Sequence, residues 1–150
     1  MIKRVISIFC VLSILSGCGY VPIYLNKENT FNIEIESISG DDRVNESISN
    51  MLKINSTKNS SQKLILNITT EYDKTTNLKD STGTDTSFRI TVKIIFKIND
   101  NNKISDLILS EYLDLKRNDN RYEETQLENI MINNLTRRIY NKLINKLAIM

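Results

Sequence analysis

The chain has 150 residues, with 20 Lys and Arg against 18 Asp and Glu and a net charge of +2. It has no His, no Trp and two Cys. Without His it lacks the commonest zinc ligand and the commonest general base near neutral pH, which sets aside many enzyme classes; the balanced charge offers no global field for nucleic acid.

The first eighteen residues are the most patterned. Lys3 and Arg4 precede an apolar run of 11 residues, Val5 to Leu15. As a helix that run is about 16 Å long, and a bilayer core needs roughly 30 Å, so it is a poor membrane span. Charge, apolar run and small residues in that order are the layout of a secretory signal. Leu15-Ser16-Gly17-Cys18 looks like a bacterial lipobox. Residues 1–17 are therefore expected to be a lipoprotein signal peptide, with Cys18 acylated as residue one of the mature chain. The other reading is an ordinary secretory signal with an incidental cysteine. Residues 18–30 read as a lipidated tether and 31–150 as a single domain. Removing Lys3 and Arg4 takes the mature side chains from +2 to zero. Cys10 leaves with the signal and Cys18 carries lipid, so no disulfide, thiolate metal site or cofactor is expected.

Phe31 to Ile38 alternates, with Phe31, Ile33 and Ile35 on one face, which predicts a half-buried strand. Gly40 breaks it, and Asp41 or Asp42 then caps a short helix whose apolar face is Val44, Ile48, Met51 and Leu52. Asn55 to Ser61 is a polar loop. Lys63 to Tyr72 is a second strand, and Thr75 to Asp85 reads as a turn. Phe88 to Ile98 is the clearest strand, with Phe88, Ile90, Val92, Ile94, Phe96 and Ile98 in phase; Ile95 alone interrupts the polar face. Residues 99–102 turn the chain. Ile104 to Leu115 is a fourth strand, on which Glu111 falls on the apolar face unless a bulge turns it outward. Tyr122 to Ile149 is a long amphipathic helix with Leu127, Met131, Leu135, Ile139, Leu143 and Leu147 at every fourth position, joined by Ile130 and Ile144. Asn120 with Glu123 resembles a capping box. The last three strands, joined by short connections, should form an antiparallel meander. The expected fold class is α+β: a two-layer sandwich of an about four-stranded, largely antiparallel sheet with two helices on one face, in the order β-α-β-β-β-α.

Little of this carries chemistry. Ser60-Ser61-Gln62-Lys63 matches Ser-x-x-Lys but lacks the helix start and partner motifs that such a nucleophile needs. No P-loop, dinucleotide fingerprint or nucleophile elbow occurs. The basic residues near the second turn are more informative. Lys74 and Lys79 lie in or beside it, and Arg89, Lys93 and Lys97 alternate along the polar face of the next strand. They read either as the solvated face of a Lys-rich protein or as a strip that pairs with a phosphorylated ligand, Arg89 bidentately.

Cys18-Gly19-Tyr20-Val21-Pro22-Ile23-Tyr24 resembles the Cys-Gly-Phe-x-Pro-Leu-Tyr start of mature LPS-assembly lipoproteins (LptE-like), with Tyr20 in place of Phe. The order of elements continues the resemblance over the mature chain, although the last helix is poorer in Ala than is usual there. The resemblance implies a non-enzymatic, lipid-anchored subunit of the cell outer membrane, facing the periplasm or lying within a barrel lumen. It would plug the LPS-translocating β-barrel, assist its assembly and bind lipopolysaccharide. Its partners would be the barrel, LPS and the membrane, with no nucleic acid. Basic residues near the second hairpin loop carry LPS contact in the family, for which Lys79 and Arg89 are the nearest matches, with Lys74 and Lys93 beside them. The alternative is an auxiliary envelope lipoprotein of an ABC-type lipid transporter; a hydrolase ranks third.

Overall fold

The computed structural model describes residues 31–56, 62–100 and 103–149. The signal peptide, Cys18 and the tether lie outside the described residues, as do residues 57–61 of the polar loop. The elements run β1 (Phe31–Gly40), α1 (Asp42–Asn55), β2 (Gln62–Lys79), β3 (Asp85–Asp100), β4 (Lys103–Lys116) and α2 (Arg121–Leu147). They form one four-stranded sheet in the order β1-β2-β3-β4. β1 pairs parallel with β2 across the α1 crossover, and the other pairs are antiparallel. This is the α+β sandwich that the alternation and the helical periodicity predict.

The core lies between one sheet face and the two helices. Leu64, Leu66 and Ile68 of β2 and Ile90, Val92, Ile94, Phe96 and Ile98 of β3 meet Val44, Ile48 and Leu52 of α1 and Ile132, Leu135, Ile139 and Leu143 of α2, all buried. β2 and β3 are the central strands, so their inward rows are sealed. On the edge strand β4, Leu107, Leu109 and Leu113 are only partly buried.

Asp41 is the cap of α1, and its carboxylate accepts from the backbone N–H groups of Arg43 (3.0 Å) and Val44 (3.2 Å). Asn120 caps α2, accepting from the N–H of Tyr122 and Glu123. Glu123 completes the box differently from the usual reciprocal bond. It takes the Asn120 side-chain amide (3.1 Å), because the Asn120 backbone N–H is already held by Asn118 Oδ1 (3.0 Å).

Three details differ from the sequence reading, and a fourth, the place of Glu111, is decided. The segment Thr75 to Lys79 is strand, not turn; it pairs with β3 as far as Lys79↔Asp85, with irregularities around Leu78, and the turn shrinks to residues 80–84. Pairing supplied by β3 outweighs the polar character of Thr75, Thr76 and Asn77. In β1 an extra residue, Glu36, lies between Ile35 and Ser37 in the register with β2, so Ile35 and Ile38 both keep the core side. Glu111 sits opposite Val92 with no bulge nearby, stays on the inner face, and pairs with Lys142 of α2. Ile130 is exposed while Ile132, Thr136 and Tyr140 are buried. The every-fourth row is buried from Leu135 through Ile139 and Leu143 to Leu147; at 3.6 residues per turn such a row drifts about 40° per step, so the stripe widens to take in Ile132, Thr136 and Tyr140 beside it and leaves Ile130 outside.

Candidate functional site

Two regions concentrate charge, and they lie on opposite faces of the sheet. On the helix side, the inward row of β2 turns polar after Ile68, with Thr70, Tyr72 and Lys74 in phase. These side chains meet the first turn of α1 and the first two turns of α2. Glu128 of α2 is the hub: its carboxylate accepts from Lys74 Nζ (2.7 Å), Tyr72 Oη (2.7 Å) and Arg43 Nη1 (3.0 Å). Lys74 also donates to Glu124 (3.0 Å), and Arg43 to Asp41 Oδ2 (3.1 Å). Arg43 lies 4.3 Å from the Tyr72 ring centre and Lys74 4.6 Å from that of Phe88. Burial alone would raise the Glu128 pKa, but hydrogen bonds from Lys74, Tyr72 and Arg43 outweigh it and hold the carboxyl below its ordinary value. Burial likewise works against the Lys74 ammonium, and its bonds to Glu128 and Glu124 overcome this and raise its pKa. Burial, followed by the bond to Glu128, pushes the Tyr72 phenol up. Every member of this cluster is satisfied by another, so its chemistry is that of a clamp joining β2, α1 and α2.

The outer face of the sheet is not covered by any described element. Its hairpin half carries charge pairs across strands. Arg89 holds Asp114 bidentately (2.8 and 3.1 Å) and stacks 4.6 Å from the Tyr112 ring centre. Lys93 pairs with Glu71 (3.1 Å), and Lys79 with Asp85 (3.6 Å). Asp114 keeps the Arg89 pKa up and is itself held down by Arg89. Lys97 is exposed on the same face. The structure therefore brings Arg89, Lys93 and Lys97 together as a row, with Lys79 at the hairpin end. It places Lys74 on the other face, inside the Glu128 clamp. Cys18 lies outside the described residues.

At the hairpin end, a polar cleft of about 880 Å³ opens between the 80–84 turn and the β4–α2 connection, lined by Asp80, Asp85, Phe88, Arg117, Arg121 and Glu124 among others. Asp80 braces the turn: its carboxylate accepts from the Thr82 hydroxyl (2.6 Å) and the N–H groups of Thr82 (2.8 Å) and Thr84 (2.9 Å), which lower its pKa. Arg117 and Arg121 reach this cleft from the β4–α2 side. Sequence reasoning missed them because their nearness to the hairpin comes from β4 running back alongside β3. Among the described residues no group of three or more His, Cys, Asp or Glu could hold a metal ion, and no helix is long and apolar enough to cross a membrane.

The architecture matches a solved structure. The chain shares the fold of a bacterial rare lipoprotein B. That protein, from Shewanella oneidensis, superposes with a TM-score of 0.56 at 9% identity, over 77% of this chain and 94% of its own. A lipoprotein B from Nitrosomonas europaea gives a TM-score of 0.49 at 10% identity over 83% and 88%. A minor lipoprotein from Acinetobacter baumannii gives 0.47 at 17% over 77% and 94%. At 9% identity the likeness to the Shewanella oneidensis protein is one of fold alone. No protein-family model and no curated protein matches the chain.

Proposed function

We propose that this chain is an outer-membrane lipoprotein of the LPS export and assembly machinery: a non-catalytic subunit that plugs the LPS-translocating β-barrel, assists its assembly and contacts LPS. The observation that carries the reading is the pairing of two independent features. The lipobox and the Cys18-Gly19-Tyr20-Val21-Pro22-Ile23-Tyr24 start stand on a chain that folds as the rare lipoprotein B sandwich. The charged hairpin half of the outer face and the exposed helix faces suit a hydrophilic lumen wall, and wide barrels are commonly plugged. Affinity purification with mass spectrometry tests the reading. A β-barrel partner is the expected result; an inner-membrane ABC transporter in its place would favour the auxiliary-lipoprotein alternative.

Two further outcomes are expected. Intact mass spectrometry of the mature protein should show cleavage before Cys18 and an added diacylglycerol, since stable anchoring takes more than one chain. An unmodified terminus at another position would remove the lipoprotein premise. The double substitution Lys79→Glu and Arg89→Glu should weaken LPS binding by about tenfold or more, because charge-assisted contacts are the strong ones. The fold should persist, as both side chains are exposed and their present partners Asp85 and Asp114 lie at the surface. An LPS phosphate has to compete with those carboxylates, so single substitutions should show less than the pair. Unchanged LPS binding in the folded double variant would dismiss this contact surface.

A further inference from the structure

The two edges of the sheet are finished differently. On β1 the edge is blunted. The extra residue Glu36 interrupts its register, and Ser56, just past α1, closes on Ile33: the Ile33 N–H donates to Ser56 Oγ (2.9 Å) and Ser56 Oγ donates to the Ile33 carbonyl (3.3 Å). β4 has neither device. It runs 14 residues in unbroken register with β3, and among the described residues no side chain caps its outer backbone groups. A long regular edge of this kind is a template for another strand. Its outer face also carries three exposed apolar side chains at a spacing of four: Ile104, Ile108 and Tyr112, 71%, 60% and 60% exposed.

That spacing is self-complementary. In an antiparallel pair with two-fold symmetry about Ile108, directly opposed residues share a face. Ile108 meets Ile108 of the second copy, and Ile104 meets Tyr112. Asp106 meets Ser110. On the inner face the half-exposed Leu107 meets Leu109, and Ser105 meets Glu111. No like charges oppose. The neighbouring symmetric registers match the apolar spacing less well: a two-fold at Leu107 sets Ile108 against Asp106 and Ile104 against Ser110. A two-fold at Ser110 sets Asp106 against Asp114, one at Leu109 sets Ile104 against Asp114, and one at Asp106 sets that carboxylate against itself. Directly opposed like charges destabilise a sheet, whereas apolar cross-strand pairs stabilise it.

We infer that β4 is a homodimerisation edge, on which a second copy of this chain pairs antiparallel through Ile104–Tyr112 about a two-fold at Ile108. The sheet then runs continuously through both copies, and the outer-face row Ile95–Ile108 extends into its symmetry mate. The inference is independent of the barrel reading, and applies to the chain free of other partners.

The test uses the full chain purified in detergent. Opposed Cα atoms in an antiparallel pair are about 4.5–5.5 Å apart, inside the range that a disulfide spans. Ile108→Cys should therefore give a reducible covalent dimer under mild oxidation, beyond the level of the unsubstituted chain, while Ser110→Cys, which faces Asp106 and not itself, should not. Light scattering should give twice the protomer mass, and Ile108→Lys, which opposes two ammonium groups at the axis, should halve it without loss of circular dichroism. Equal cross-linking at residues 108 and 110 would overturn the register. A monomer whose β4 amides are protected from hydrogen exchange would assign the edge to the chain's own tether and overturn the dimer. In bacterial membranes, an Ile108→Cys cross-link to a larger, different chain with no homodimer would assign it to another protein's strand and overturn it too.

Discussion

Gly40→Ala is expected to destabilise the domain by about 3–5 kcal/mol, combining left-handed backbone strain and overpacking. Gly40 has φ +115 at the corner where β1 gives way to α1. A Cβ there would lie 1.9 Å from the Thr70 carbonyl oxygen and 2.6 Å from Thr70 Oγ1. Neither the conformation nor the space suits a side chain. Thr70 cannot yield easily: it is buried, and its hydroxyl engages Asn45 Oδ1 (2.7 Å) and lies near the Ser39 and Asp41 carbonyls. The corner sets where α1 starts and how it lies over the sheet. Against a typical total of about 5–15 kcal/mol, the variant should unfold at much lower urea or be recovered insoluble. Gly83 is the control. It also has positive φ, at +84, but a Cβ there meets nothing within 4 Å, so Gly83→Ala should lose only about 1 kcal/mol. Equal urea midpoints for the two variants would contradict the steric argument.

Glu128→Ala is expected to remove about 3 kcal/mol, the low end for a broken buried ion cluster. Its carboxylate serves Lys74, Tyr72 and Arg43 at once, and its side chain is only 14% exposed. The loss stays at the low end because Lys74 keeps Glu124 and Arg43 keeps Asp41; Tyr72 Oη is the donor left without its acceptor. For a domain of this size the melting temperature should fall by roughly 8–15 °C. The pH dependence has a definite sign. The Glu128 pKa is lowered on folding from its ordinary 4.5. Its contribution is therefore complete above that value and disappears as pH falls through the lower folded-state value. Glu128→Gln should flatten the acid limb of stability below the ordinary value of 4.5. An acid limb identical to that of the parent chain would show that other carboxylates set it.

Much of the architecture is legible in the sequence because it rests on local periodicity. Phe88 to Ile98 alternates so strictly that strand, face and core rows follow from chain order alone, and Val44, Ile48 and Leu52 define the buried face of α1 in the same way. The caps are also local, since Asn120 and an Asp before Arg43 need only the first free N–H groups of a helix. The segment from Lys3 to Cys18 is linear chemistry, readable without any fold. Tertiary structure decided everything that depends on which strands and helices become neighbours. Thr75–Lys79 is strand because β3 pairs with it. Glu111 stays inside because β4 runs without a bulge along β3, and Lys142 of α2 supplies its partner there. Lys74 parts from Arg89 and Lys93 because an inward position on β2 and outward positions on β3 lie on opposite faces, and α2 brings Glu124 and Glu128 to the inward one. Separations of 54 residues for Lys74–Glu128 and 85 for Arg43–Glu128 leave no trace in a local pattern. Such pairs are set only when the apolar faces of the helices, in burying themselves, choose where on the sheet they lie.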